Sequence, residues 1–462
     1  MKIEKKYLNL TSSLIFKVFL NIFIVFYIAK KVSVSEFGSF TIAFIFSAIT
    51  ILFLDYGFNL RSLILSGSKE GNIAAELWSM LYSKVLLVLL LLPMGMLFYF
   101  ISPYDALTDE LIYVLVISAI PNSFGNYFLN AFKINNNYAL EARGYAIQFF
   151  TLIIVLIAFE YSMETTVFHY AIGLLIARVC YFLYGIGVFT KMFPRAIGWN
   201  FNRSISSVRT ATSFAVHMIL SALIIHIDTF ILSVLSDLEQ VGIYQAGMRI
   251  VMASMLIAVI ISDAFIPEIS KLINQKGEAH KRLIKLFNFI SLFALLTVIT
   301  LYFYKTTLIT LLFSEEYLVL ENSIFIILAI IALRYFGIVP GIILTSFGQQ
   351  RIRAIAVVAS ILVSIILNLI LIPRYGIIGA FTASLFAHII LNLLYLVFSS
   401  RTVSFYSKFS YKLIIGASTI CFLAQIFFFK DSLVYLIATI FMNTLLIGFF
   451  FLNQKSKVKI LL

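Results

Sequence analysis

The chain alternates between long apolar runs and short polar loops along its 462 residues. A bilayer core is about 30 Å thick, and a helix rising about 1.5 Å per residue needs about 20 apolar residues to cross it. Segments of this length are predicted at residues 8–29, 38–60, 78–101, 108–132, 143–161, 165–189, 208–236, 240–268, 283–305, 318–346, 352–373, 376–399, 409–430 and 432–452. The pattern predicts an all-α polytopic membrane protein with about 14 transmembrane helices.

Lysine and arginine residues are concentrated in alternate loops. With a cytoplasmic N-terminus, 24 of the 34 fall in cytoplasmic loops and tails, 5 in outer loops and 5 within predicted helices. Cytoplasmic loops of membrane proteins carry an excess of Lys and Arg, so the bias predicts that both termini are cytoplasmic. The net charge of +13 therefore reflects membrane orientation, and no nucleic-acid partner is expected.

Composition agrees with a membrane protein. Hydrophobic residues make up 62% and charged residues 12%, against about 25% charged residues in soluble domains. Cys180 and Cys421 lie in separate predicted helices, which argues against a disulfide. His226 and Asp228 point about 200° apart on a helix, which argues against a metal site. No cofactor is implied. Because every predicted loop is short, we expect the functional residues to lie within the helices.

Similar features recur in the two halves of the chain. Helix 2 opens around Gly38 and helix 8 around Gly242, each with an aromatic residue two positions later. An even number of helices intervenes, which is typical of parallel repeats in transporters. We expect a six-helix bundle at residues 1–200, a second at 201–400, and two further helices with a cytoplasmic tail at 401–462.

Basic residues at mid-depth are the first candidate site. Lys17 and His217 lie at matching depths in helices 1 and 7, and Arg178 and His388 in helices 6 and 12. Cations inside a membrane usually face a bundle interior or water, and arginine can grip a phosphate with two hydrogen bonds. The set predicted to bind an anionic substrate in a cationic lumen is Arg249, Arg178, Lys17, Arg334, His217 and His388.

Acidic residues form the second candidate set, for ion coupling or ion pairing: Asp228, Asp55 and Asp263. Asp228 and Arg249 are equidistant from the predicted centre of the helix 7–8 hairpin, which predicts an ion pair, functional or purely structural. Asp55 and Asp263 lie near cytoplasmic helix ends, where simple solvation is the alternative. Lys84, also near a cytoplasmic end, is expected to extend its ammonium group to the membrane surface.

Glycine and proline residues in helix 10 suggest a hinge. Gly337, Pro340 and Gly341 lie close together, and proline interrupts the hydrogen-bond ladder of a helix. Rocking between inward-open and outward-open states is one interpretation, and a static kink is the other.

Several segments, in order, resemble one family. Residues 30–40 and 54–59 are similar to the first loop and the second helix end of bacterial polysaccharide repeat-unit flippases (Wzx-type). Residues 227–232 and 241–249 resemble the family's helix 7–8 signature, and residues 265–270, 344–350 and 368–380 resemble later segments. The chain departs from the family at Ser33, where Gly is usual, and at Lys30-Lys31, where Ala-Arg is usual. The last two helices match no family motif.

The resemblance implies the fold of the multidrug/oligosaccharidyl-lipid/polysaccharide exporter superfamily, with two six-helix bundles around a V-shaped cavity. It implies a non-enzymatic flippase of the bacterial inner membrane. Its substrate would be an undecaprenyl-diphosphate-linked oligosaccharide for O-antigen, capsule or exopolysaccharide synthesis, moved by alternating access. The family has a functionally important arginine on helix 8, and Arg249 occupies that position. Membrane lipid, a polysaccharide polymerase and chain-length machinery are the implied partners.

Two alternatives remain. An ion-coupled multidrug antiporter of the same superfamily should favour acidic or neutral interior groups, whereas the mid-span charges here are mainly basic. A membrane polysaccharide polymerase or ligase typically has a large outer loop with arginine or histidine, whereas the outer loops here are short and acidic.

Overall fold

A computed structural model shows a chain of helices joined by tight turns. The structure describes residues 24–59, 61–62, 73–135, 137–162, 164–194, 198, 201–272, 275–402 and 434–440, with residues 16, 20 and 443. All regular secondary structure in these ranges is helical. Eight of the described helices are long and apolar enough to cross a membrane. The prediction of an all-α polytopic membrane protein is confirmed, whereas the count of 14 and the cytoplasmic termini stay predictions.

The chain divides into two compact units, unit 1 at Met1–His226 and unit 2 at Ile227–Leu462. The division predicted at residue 200 stays a prediction. The helices of unit 1 are α1 (24–31), α2 (Val34–Asp55), α3 (Ile73–Ile101), α4 (Ala106–Ile134), α5 (Tyr138–Ser162), α6 (Val167–Met192) and the first part of α7 (Phe201–Leu235).

Local chemistry fixes both ends of α2. At its start, the Ser33 side chain accepts a hydrogen bond from the Glu36 backbone N–H, and the Glu36 carboxylate accepts one from the Ser33 N–H at 3.0 Å. This capping box satisfies two donors that a helix start leaves open. At its end, Tyr56 and Gly57 take the left-handed conformation, with φ of 45° and 79°. The helix therefore stops at Asp55 and leaves that carboxylate inside the fold.

Helix α4 lies at the centre of unit 1, packed against α2 and α6. Small residues allow the close approach to α6: Gly125 faces the ring of Tyr181, and a Cβ on Gly185 would lie 3.0 Å from Phe128. Both aromatic rings are fully buried. In a membrane the hydrophobic effect does not drive helices together, so their association depends on close packing. Small residues at the contacts permit this close packing.

Unit 2 contains the end of α7 and the remaining helices. These are α8 (Leu238–Ser254), α9 (Leu256–Ser270), α10 (Lys276–Phe303), α11 (Lys305–Leu312), a 3₁₀ helix (Glu315–Ser323), α12 (Ile324–Phe336), α13 (Ile338–Ser346), α14 (Gln350–Thr402) and α15 (434–440). Asp237 begins α8 by accepting a hydrogen bond from the Gln240 N–H at 2.8 Å.

The predicted segments correspond closely to these helices, with two differences. The segment 240–268 is interrupted at Met255, between α8 and α9. The segment 318–346 includes the 3₁₀ helix and a break at Gly337. The predicted loop between segments 352–373 and 376–399 corresponds to a break in α14 at Gly376, which has φ 53° and ψ −129°. The segment 409–430 lies outside the described residues, as do most of the segments 8–29 and 432–452.

The backbone conformation at Gly376 predicts that a side chain at this position destabilises the protein. An alanine there is strained by the positive φ and would also collide with the Gln240 side chain, so Gly376→Ala should lower the free energy of unfolding by about 1–3 kcal/mol. The measurement is thermal unfolding of the purified protein in detergent. Gly187→Ala is the matched control, because Gly187 lies within α6 and has open space around it. Equal stability of the two variants would contradict the prediction.

Candidate functional site

Unit 1 has a seam of polar groups between α2 and α4. At one level, the Thr108 hydroxyl donates to Ser39 Oγ at 2.9 Å. At a second level, the Arg178 guanidinium from α6 donates through Nη1 to Ser47 Oγ at 2.9 Å and to Ser118 Oγ at 2.6 Å. Its guanidinium carbon lies 5.9 Å from the centre of the Phe44 ring. Arg178 is 5% exposed, so the cation is enclosed within unit 1.

Lys84 forms a third level of this seam. Its Nζ donates to the Leu54 backbone oxygen at 2.9 Å and to Ser123 Oγ at 2.8 Å. The ammonium group also lies 5.5 Å from the ring of Phe124 and 5.6 Å from that of Tyr127. The residue is fully buried, so the expectation that it reaches the membrane surface was wrong. Lys84 faces inward because α3 presents this side to the end of α2 and to α4.

Asp55 lies in the same core as Lys84 and is 4% exposed. Its carboxylate accepts from the backbone N–H groups of Gly57 and Asn59 and is an electrostatic neighbour of Lys84. Its Oδ1 atom is buried without a hydrogen-bond partner in the described structure. The alternative that Asp55 is simply solvated at a helix end is therefore wrong, because the turn at Tyr56 and Gly57 folds this end inward.

Unit 2 holds a buried carboxylate, Asp228, on α7. Tyr244 on α8 donates its hydroxyl to Oδ2 at 3.1 Å, and Asn368 on α14 donates its amide to Oδ1 at 2.7 Å. Ser364 donates a further hydrogen bond to Oδ1, and Ser384 lies beside the carboxylate. Asp228 is 5% exposed, and the Asn368 Oδ1 atom is buried without a described hydrogen-bond partner.

The predicted ion pair between Asp228 and Arg249 was wrong. The hydrogen bonds Asp228–Tyr244 and Thr229–Gln245 centre the hairpin on residues 236–237, with Asp237 at the start of α8. Arg249 lies five residues beyond Tyr244, which is about 7.5 Å further along α8 and about 140° around it. It therefore projects from another side of the helix.

The other predicted cations of unit 2 are half-buried. Arg334 on α12 is an electrostatic neighbour of His388 on α14 and of Tyr244 on α8. Arg249 is also half-buried. Two of the predicted cations, Arg334 and His388, therefore lie near each other in unit 2, whereas Arg178 lies in unit 1.

The predicted hinge residues lie at the junction of α12 and α13. Gly337 keeps helical angles, φ −72° and ψ −15°, and the Gly341 N–H donates to its oxygen at 3.0 Å. A Cβ on Gly337 would lie 2.7 Å from Asn392 Oδ1, so glycine is needed for close packing there. Pro340 has no N–H to continue the ladder. The helix is interrupted at Gly337, and both a kink and a motion at this point stay predictions.

Three predicted site residues lie outside what the structure describes. Lys17 falls among the undescribed N-terminal residues, whereas His217 and Asp263 belong to α7 and α9 but their side chains are not described.

Sequence reasoning did not place Lys84, Ser364, Asn368 or Tyr244 in a site. One available signal was the spacing of Ser364 and Asn368, four residues apart in the apolar stretch 361–372, which puts both on one face of the helix. Within the described residues, no group of three or more His, Cys, Asp or Glu is arranged to hold a metal ion.

Comparison with known families identifies the chain. A family model described as "Polysaccharide biosynthesis protein" matches residues 3–273, which is more than half of the sequence. The chain belongs to the polysaccharide biosynthesis protein family. It is a multi-pass membrane protein, and the inner membrane is the usual location of this family. No curated protein matches the sequence.

Solved structures show the fold of this family member. A lipid II flippase MurJ in an inward closed conformation has a TM-score of 0.75 at 19% identity, over 96% of this chain and 97% of MurJ. An inward-facing multidrug resistance MATE transporter of the MOP superfamily has a TM-score of 0.65 at 14% identity, over 83% of this chain and 94% of the transporter. A MOP superfamily transporter from Pyrococcus furiosus has a TM-score of 0.60 at 15% identity, over 87% and 95%. The chain has the MurJ/MATE-like fold.

The neutral environment of Arg178 gives a stability prediction. Replacing both Ser47 and Ser118 by alanine removes the hydroxyl acceptors of a buried cation, so the free energy of unfolding should fall by about 1–3 kcal/mol or more. Thermal unfolding in detergent measures the loss. The matched control is Thr382→Ala, an exposed hydroxyl that donates to a carbonyl within its own helix. A double serine variant as stable as this control would contradict the prediction.

Proposed function

We propose that this protein is a flippase that moves undecaprenyl-diphosphate-linked oligosaccharides from the cytoplasmic to the outer leaflet by alternating access. The observation that carries the proposal is the fold of a lipid II flippase over 96% of a chain from the polysaccharide biosynthesis protein family. The repeat units would serve O-antigen, capsule or exopolysaccharide synthesis. A polymerase and chain-length machinery would then act on the delivered units.

The balance of charge favours an anionic substrate. Among the described side chains in the helix interiors, Arg178, Lys84, Arg249 and Arg334 outnumber the carboxylates Asp55 and Asp228, while the buried Glu141 is compensated by its ion pair with Lys133. A diphosphate crossing a bilayer needs cations that compensate its lost hydration. We assign substrate binding first to Arg249, Arg334 and His388, which are half-buried. Arg178, Lys17 and His217 remain candidates for the same role.

The first test is the sidedness of lipid-linked repeat units in a strain that lacks the gene. Wild-type protein should restore repeat units to the outer leaflet, whereas Arg249→Ala should not, because a phosphate would lose a bidentate partner. The loss expected is at least tenfold in the rate of flipping. Leaflet-specific enzymatic cleavage of the headgroup measures the distribution.

The matched control is Arg351→Ala, which removes an exposed arginine from the same unit and should flip at the wild-type rate. Immunoblots of the membranes check that both variants accumulate equally. Full flipping by Arg249→Ala would remove this residue from the substrate site. Normal leaflet distribution in the deletion strain, with no second flippase present, would overturn the proposal itself.

We also propose that Asp228 binds the coupling cation. Its carboxylate, the hydroxyls of Ser364 and Ser384 and the unpartnered Asn368 oxygen form an oxygen-rich cluster. Asp228→Asn keeps the shape but removes the charge, so flipping should lose its response to an imposed ion gradient and fall at least tenfold. Transport into vesicles with imposed proton or sodium gradients measures this. A variant that still responds to the gradients would exclude Asp228 as the coupling site.

A multidrug antiporter is the second candidate, because the chain also has the fold of a MATE transporter, with a TM-score of 0.65. Cationic drugs call for acidic or neutral interior groups, and the described interior is richer in cations. Drug resistance conferred by expression in a sensitive strain, without any effect on surface polysaccharide, would favour the antiporter. The family and fold matches favour transport over the polymerase or ligase alternative.

A further inference from the structure

We propose that Asp55 and Lys84 form a proton-binding pair at the cytoplasmic end of unit 1, separate from the Asp228 cluster of unit 2. The pair itself is a property of unit 1, and only its use to drive transport rests on the proposed function.

The bare oxygen is Oδ1 of Asp55. It is buried without a hydrogen-bond partner in the described structure, in a core built from Leu54, Phe58, Met80 and Tyr127. A charged oxygen enclosed by apolar groups is costly, and a proton on the carboxylate removes most of that cost. The neutral acid form would suit this enclosure better than the anion does.

Lys84 supplies the charge that keeps the anionic form accessible. A lysine ammonium has three N–H donors, and two of them are used by the Leu54 oxygen and Ser123 Oγ. The ammonium group is also an electrostatic neighbour of Asp55, without a direct ion pair between them in the described structure. Burial favours the neutral form of the Asp55 carboxyl group, whereas the nearby cation favours its charged form. A carboxyl group under two such opposing influences can both bind and release a proton.

Protonation of Asp55 changes the charge of the pair by one. A hydronium ion on the cytoplasmic side gives its proton to Asp55 Oδ1, which forms a neutral carboxylic acid and leaves water behind. Lys84 remains an ammonium throughout, so the charge of the pair changes from 0 to +1. Release of the proton from Oδ1 to water reverses the step.

Further polar groups lie on the segment that follows Asp55. Asn59, four residues further on, has a buried Oδ1 without a described hydrogen-bond partner. Its backbone oxygen accepts from Ser62 Oγ at 2.8 Å and from Asn130 Nδ2 at 2.9 Å. These polar groups lie on the segment that follows Asp55 and on the facing helix α4.

Other charged and titratable groups near Asp55 are already engaged. Tyr127 on α4 donates its hydroxyl to the Leu77 oxygen at 2.7 Å. Arg61 donates to the Ser207 oxygen of α7 at 2.9 Å and lies 3.6 Å from Glu76 of α3. Tyr56 contacts the Thr212 hydroxyl of α7 at 3.5 Å. Of these groups, Asp55 is thus the one whose protonation disturbs the fewest existing hydrogen bonds and ion pairs.

The test is infrared difference spectroscopy of the full-length protein in lipid, titrated with acid. The carbonyl absorption of protonated, buried carboxylic acids should contain a component with a single midpoint that is missing from the Asp55→Asn spectra. Lys84→Gln, which keeps donors for Leu54 and Ser123, should move the midpoint by at least one pH unit to higher pH, because the cation that favours the carboxylate is gone. Thermal unfolding verifies that each variant is folded.

Glu141→Gln is the matched control, because Glu141 is a buried carboxylate of unit 1 whose Oε2, like Asp55 Oδ1, has no described hydrogen-bond partner, but whose Oε1 has a direct ion pair with Lys133 at 2.9 Å. This variant should keep the Asp55 component and its midpoint. A set of carbonyl components that Asp55→Asn leaves unchanged, or a midpoint of the Asp55 component that Lys84→Gln leaves unchanged, would overturn the proposal. If Asp55→Asn does not fold, the Lys84→Gln shift decides alone.

This readout does not depend on transport, so failure of the flippase proposal leaves it interpretable. Flipping is then measured in vesicles at several internal pH values. Loss of the pH dependence in Asp55→Asn would support a role of the pair in coupling. An unchanged dependence would remove that role while the proton site stands.

Discussion

The structure depends on neutral hydrogen-bonding groups that hold single charges in its apolar interior. Isolated charges are costly inside a protein, and more so within a membrane. Arg178 is held by two serine hydroxyls, Lys84 by a backbone oxygen and a hydroxyl, and Asp228 by a phenol, an amide and a hydroxyl. Each charge thereby joins three helices, so helix packing and charge solvation support each other.

Neutral partners also leave each charge capable of responding to a substrate or ion. The buried Glu141 is the contrast, because Lys133 compensates its charge at 2.9 Å. An ion pair of this kind fixes a local structure, whereas a charge held by hydroxyls still attracts an opposite charge. Helices that carry such groups are therefore where a transporter can convert binding into movement.

Most helices could be predicted from the sequence, because the length of an apolar segment and the charges of its flanking loops are strong signals. The predicted segments even included the break at Gly376 in the longest helix. It did not predict which side of a helix faces inward. Helix α3 is apolar around nearly its whole circumference, so periodicity does not distinguish the side that carries Lys84. The hairpin between α7 and α8 was misplaced for a related reason: its centre depends on the capping residue Asp237, and a shift of two residues turns Arg249 away from Asp228.

That shift changes how the charges of unit 2 are to be understood. An Asp228–Arg249 ion pair would have made both residues parts of one structural contact. With Tyr244, Ser364 and Asn368 around the carboxylate instead, Asp228 does not neutralise Arg249. The carboxylate is then suited to a small cation and the guanidinium to a phosphate, on different faces of neighbouring helices. Since α8 carries Tyr244 on one face and Arg249 on another, its rotation or bending is the simplest mechanical link between the two.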